Sequence, residues 1–200
     1  IVRSKVIKAV EYFYMCVMMS IKFWWLIIRN FVICGIAAGI HGAMAYFASP
    51  KEEKDLHQKI NSDVHFNLIN VQFLSAATML LLSLCWTAGL LLKRTSPSMV
   101  LSAAFWILAI WSVLVLTFLT ILGIVTSVDK FNDDKKYYLR SVVLFIRCPQ
   151  LTLTTMVLWV VTGLLIVKQP VIGVLVMPGL LMAIINNMYK KLGDHQLLPD

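Results

Sequence analysis

Residues 99–128 read MVLSAAFWILAIWSVLVLTFLTILGIVTSV, thirty residues without a charged side chain. In water such a run must be buried on every side. In hydrocarbon it is stable as it stands, because a helix satisfies its own backbone and about 20 apolar residues cross the core. The surplus length predicts a tilted helix or one that extends past the lipid. Comparable runs predict further spans at residues 23–47, 68–92, 151–167 and 171–189. The expected fold class is therefore all-α, a polytopic membrane protein with about five transmembrane helices in one membrane domain over residues 1–200. Composition agrees. Hydrophobic residues make up 60% and charged residues 14%, with a mean hydropathy of +0.81, whereas a soluble domain carries about 25% charge.

Residues 1–22 place Arg3, Lys5 and Lys8 ahead of an aromatic and apolar stretch, which predicts a helix lying at the membrane surface. Ile1 in place of Met implies that the native start lies upstream, so no signal peptide or lipidation motif is assigned. Trp24 and Trp25 suit the interfacial aromatic belt. Polar segments fill residues 49–67 and 129–150. In the second, Arg140 and Arg147 share a helical face beside Val142, Val143, Phe145 and Ile146, as in a short interfacial helix ended by Pro149. Lys93 to Pro97, and Lys168-Gln169-Pro170, are turns too short to cross anything. The order polar segment, span, basic turn with Pro, span occurs twice, as a weak internal repeat or simply as two hairpins.

Five spans would place both polar segments and the C-terminus on one face. That face would hold ten Lys and Arg against seven on the face of the N-terminal segment and the two turns. The expectation is cytoplasmic polar segments and an external N-terminus.

A net charge of +8 would raise nucleic-acid binding in a soluble protein. Here the basic residues flank apolar runs, so anionic membrane lipids are the expected partner and nucleic acid is not. Cys16, Cys34, Cys85 and Cys148 lie in or beside apolar stretches with no metal-ligand spacing and read as small hydrophobes. Gly35, Gly39 and Ala43 recur every four residues, a seam that lets another helix approach closely. His41 beside it reads as a packed, hydrogen-bonded side chain, since the spans hold no carboxylate to partner it. Arg29, within two turns of the predicted start of the first span, reaches the interface by snorkelling. Pro178-Gly179 predicts a kink in the fifth span, and Asn186 and Asn187 a polar contact near its end. Thr152, Thr154, Thr155 and Thr162 bond back to their helix or across to a neighbour. No nucleophile elbow, P-loop, His/Cys metal cluster or dinucleotide fingerprint appears. Asp129, Asp133 and Asp134, like Glu52, Glu53 and Asp55, are interleaved with Lys and read as solvated surface. The expectation is a chain with no catalytic, cofactor-binding or metal-ligating residues and no cofactor.

The stretches FWWLIIRNFVICGIAAGIHGAMAYF and SVDKFNDDKKYYLRSVVLFIRCPQLTLTTMVLWVV together resemble the YesL-like family of Firmicute membrane proteins. The shared features are a Gly-rich end to the first span, then a Lys-rich amphipathic segment, a Pro and a Thr-bearing span. The resemblance implies a multi-pass protein of the cell membrane, a non-catalytic accessory subunit of a carbohydrate ABC importer whose partners are its permeases and ATPase. It transfers no functional residues. The competing expectation is a small homo-oligomeric transporter or channel, motivated by the hairpin repeat and the threonines. A membrane-embedded enzyme would need clustered acids or histidines at an interface.

Overall fold

A computed structural model of the chain describes residues 2–29, 35–48, 69–94, 99–128 and 134–194. Among them are eight helices: α1 Val2–Arg29, α2 Gly35–Ala48, α3 Ile69–Arg94, α4 Met99–Val128, α5 Asp134–Arg147, α6 Pro149–Lys168, α7 Pro170–Leu175 and α8 Met177–Asp194. The all-α fold is as expected. Four stretches are long and apolar enough to cross a membrane: Val6–Arg29, Gln72–Arg94, Met99–Ser127 and Pro149–Lys168. The protein is a polytopic helical membrane protein.

Two sequence expectations change here. Residues 1–22 are not a separate surface helix, because α1 runs unbroken from Val2 to Arg29. Residues 23–47 are not one span, because α1 ends at Arg29 and α2 begins at Gly35. Arg29 thus lies at the end of a helix rather than near the start of one, where a cation complements the C-terminal dipole. At 14 residues, α2 is about 21 Å long, well short of a ~30 Å hydrocarbon core. It survives by burial. It packs against α1, α3, α4 and α8, and none of residues 35–47 is exposed.

The helices meet in a consistent register. On α2, Gly35 lies against Ile27 and Gly39 against Phe23, so α1 and α2 are antiparallel. Gly89 of α3 faces Phe105 of α4, which pairs those two as a hairpin. Ala37 meets Ser75, Ile40 meets Gly123 and His41 meets Thr126, so α2 runs parallel to α4. Trp24 meets Val174 and Ser20 meets Gly179, so α7 and α8 run antiparallel to α1. The start of α1 and the ends of α2, α4 and α8 therefore share one end of the bundle. The N-terminal segment lies at the end from which both polar segments leave, not at the opposite end as five spans would require.

The core gathers Met19, Phe23 and Ile27 of α1, Ile40 and Met44 of α2, Leu119 to Val125 of α4, and Leu181, Met182 and Ile185 of α8. Two parts stand clear of it. Residues 6–14 of α1 are exposed all round, and burial starts at Cys16. In α4, no residue from Met99 to Trp111 is buried, and burial starts at Ser112. Thr120 is level with Trp159 of α6. From there α4 continues about 32 Å to Met99, while α6 continues about 14 Å to Lys168. The α3–α4 hairpin thus extends up to about 18 Å past its neighbours as an apolar two-helix arm.

Candidate functional site, a half-length helix and a broken helix locked together

Most of the hydrogen bonds from one helix to another among the described residues converge on α2 and on the break between α7 and α8. Both elements end inside the protein, where unsatisfied backbone groups are costly.

The break begins with Pro178. It has no N–H, so the carbonyl of Val174, four residues earlier, loses its helical donor. The Trp24 indole N–H of α1 donates to that carbonyl at 2.8 Å. One residue on, the Gly179 N–H donates to Ser20 Oγ at 2.9 Å, and Ser20 Oγ donates to the Cys16 carbonyl at 3.0 Å. Cys16, Ser20 and Trp24 are spaced by four and form one stripe of α1. Gly179 lies directly on the Cys16 carbonyl, and any Cβ there would overlap it. Pro178 and Gly179, where the sequence predicts a kink, directly follow the boundary between α7 and α8, and α1 lies against it. Pro149 poses the same problem to the Phe145 carbonyl, which the Thr152 hydroxyl resolves at 2.9 Å.

This arrangement predicts an energetic coupling. Trp24→Phe should cost about 1–3 kcal/mol by orphaning the Val174 carbonyl. In a Pro178→Ala background the restored N–H can take that carbonyl, and the same substitution should cost less than half as much. Unfolding of the four proteins in one detergent measures the cycle, and equal costs in both backgrounds would exclude the pairing.

Helix α2 is held at both ends. Near its start the Ala37 N–H donates to Ser75 Oγ of α3 at 3.4 Å. Near its end the Phe47 carbonyl accepts from Asn186 Nδ2 at 2.8 Å and from Lys190 Nζ at 3.1 Å, both on one face of α8. Lys190 also brings positive charge to the negative end of the α2 dipole. Lys22 Nζ lies 5.2 Å from the Tyr46 ring centroid, a cation–π contact between α1 and the last turn of α2.

Of the small residues Gly35, Gly39 and Ala43, the two glycines lie directly against α1 of the same chain. A Cβ on Gly35 would lie 2.5 Å from the Ile27 backbone, and one on Gly39 would lie 2.9 Å from the Phe23 ring. Ala43 is buried in the same core. His41 Nδ1 lies 3.1 Å from Thr126 Oγ1. The Thr126 hydroxyl donates to the Leu122 carbonyl at 2.9 Å, so its lone pair is left to accept from His41. That assigns a proton to Nδ1.

Arg29 is exposed at the end of α1. Trp25 is 64% exposed, whereas Trp24 serves the bundle interior rather than a surface belt. Thr155 and Thr162 donate to their own helix at Leu151 and Leu158, so these hydroxyls hold the helix rather than face a path. Asn186 makes the contact expected of it, and Asn187 is exposed. Cys16 and Cys148 are buried among apolar neighbours, and Cys34 lies outside the described residues. Among the described residues no group of three or more His, Cys, Asp or Glu could hold a metal ion. The acidic groups at 52–55 and 129–134 lie outside the described side chains.

Sequence reasoning missed Ser20, Trp24 as a donor, Lys22 and Thr126. Only the bare helical spacing of Cys16, Ser20 and Trp24 could have signalled the first two. Comparison with protein-family models, with curated proteins and with solved structures gives no match.

Proposed function

We propose that this chain is a non-catalytic accessory or scaffolding subunit of a membrane transport complex, with a carbohydrate ABC importer as the complex. One observation carries the reading. The α3–α4 arm extends past the other helices and leaves the apolar side chains of Leu84, Trp86, Trp106, Ile107 and Ile110 exposed. A two-helix arm of this length offers another transmembrane subunit a packing surface that the rest of the bundle cannot reach. Trp24, Ser20, Asn186 and His41 in the interior are meanwhile engaged in hydrogen bonds from one helix to another. The likeness of the sequence to YesL-like proteins points the same way.

A photo-crosslinker at residue 106 or 110, followed by purification in mild detergent, tests the reading. Permease and ATPase subunits should co-purify, with the crosslink on a polytopic chain. A monodisperse lone chain whose arm crosslinks only to lipid sinks it.

A second reading, a small homo-oligomeric transporter, is favoured by one specific arrangement. The Phe47 carbonyl lies near the C-terminus of a half-length helix, beside Asn186. Asn186 Oδ1 is buried without a donor among the described residues. Oxygens at the ends of discontinuous helices coordinate ions in carriers. Flux into liposomes holding the purified chain alone separates the two readings.

A further inference from the structure

We infer that the end of the bundle holding both termini is the cytoplasmic face, and that it rests on the anionic headgroups of that leaflet. Because α2 returns alongside α1, the chain passes through the bundle six times, along α1, α2, α3, α4, α6 and the α7–α8 pair. An even number of passages brings the two termini to the same face.

The distribution of basic residues then becomes one-sided. At the face of the termini, α1 begins with Arg3, Lys5 and Lys8, α5 and its end carry Lys135, Lys136, Arg140 and Arg147, and α8 ends with Lys190 and Lys191. Nine of the 14 Lys and Arg among the described residues therefore belong to this face. The opposite face has four: Arg29 closing α1, Lys93 and Arg94 at the arm tip, and Lys168 at the α6–α7 turn. Lys22 lies between. Lys and Arg near helix ends are retained on the cytoplasmic side, while Asp and Glu contribute little to orientation. The negatively charged lipids of that leaflet attract such residues when they flank a membrane helix.

Helix α5 has the form such a surface requires. Ser141, Leu144 and Cys148 are buried toward the bundle, and Phe145 stacks edge-on against Phe118 of α4. Leu139, Val142 and Ile146 are exposed, a second apolar stripe for acyl chains, with Lys136 and Arg147 exposed beside it.

Labelling with a membrane-impermeant maleimide tests the inference. Single substitutions Lys8→Cys, Lys136→Cys and Lys191→Cys probe one face, and Arg94→Cys and Lys168→Cys the other, with the wild-type chain giving the background of its own thiols. In intact cells, positions 94 and 168 should label, and positions 8, 136 and 191 only after permeabilisation. Opposite accessibility of 8 and 191 would overturn the even number of passages. Shared accessibility of 8 and 191 in intact cells would overturn the orientation. Epitope tags on either end of the otherwise native chain ask the same question if a substituted chain fails to fold.

Discussion

Gly179→Ala should lower the thermal midpoint of the protein in detergent by about 6–12 °C, the largest loss expected from adding a single methyl group to this chain. The new Cβ falls on the Cys16 carbonyl. Backbone faces backbone there, so no side chain can turn aside, and α1 must separate from α8. That separation breaks the Gly179 bond to Ser20 and the Trp24 bond to Val174 together. Overpacking costs about 1–3 kcal/mol and each lost bond about 1 kcal/mol, for a total of about 3 kcal/mol or more. Ser20→Ala keeps the close contact and loses both Ser20 hydrogen bonds without overpacking, so it should cost about 1–2 kcal/mol. Fluorescence-detected size exclusion after heating reads both variants. An unchanged midpoint for Gly179→Ala would mean that α1 does not enter the break.

Gly35→Ala should be nearly as costly, about 2–3 kcal/mol, because its Cβ would lie 2.5 Å from both the Cα and the carbonyl oxygen of Ile27. The comparison with other glycines gives this prediction its force. Gly39→Ala meets the edge of the Phe23 ring at 2.9 Å. A ring can shift by a few tenths of an ångström, so about 1 kcal/mol is expected. Gly163→Ala meets nothing within 4 Å. Alanine there should be neutral or stabilising by up to about 1 kcal/mol, through helix propensity alone. The ordering Gly35, Gly39, Gly163, read from the same heating assay, separates close helix approach from the ordinary abundance of glycine in membrane helices. Equal effects at all three would dissolve the α1–α2 seam.

The long spans were readable because their signal is local. The charge-free run 99–128 matches α4 residue for residue, and 68–92 and 151–167 fall within two residues of α3 and α6. The first hairpin was not readable, because residues 23–47 are apolar throughout except for Arg29, Asn30 and His41. Arg29 closes α1 and Gly35 opens α2, but a single charge in an apolar run also fits a snorkelling side chain within one span. The misplaced turn changed the parity of the passages and so moved the N-terminus to the wrong face. The kink at Pro178 could be read from proline chemistry. The groups that satisfy it could not, since Ser20 and Trp24 lie about 150 residues away and nothing in their own neighbourhood announces the pairing. The same holds for His41, whose hydrogen bond was expected but whose partner Thr126 is set by the α2–α4 crossing.

The double capping of α2 bears on the order in which the chain is made. Its first turn is met by Ser75 and its last by Asn186 and Lys190, so the final donors leave the ribosome nearly 140 residues after the carbonyl they serve. A segment this short, with glycine at three of its first eight positions, is a poor candidate for independent insertion by the translocon and enters most readily as the returning limb of α1. Until α8 is synthesised, that limb ends in carbonyls with no protein donor. A nascent chain halted before Asn186 should therefore hold α2 loosely and be cleared by quality-control proteases.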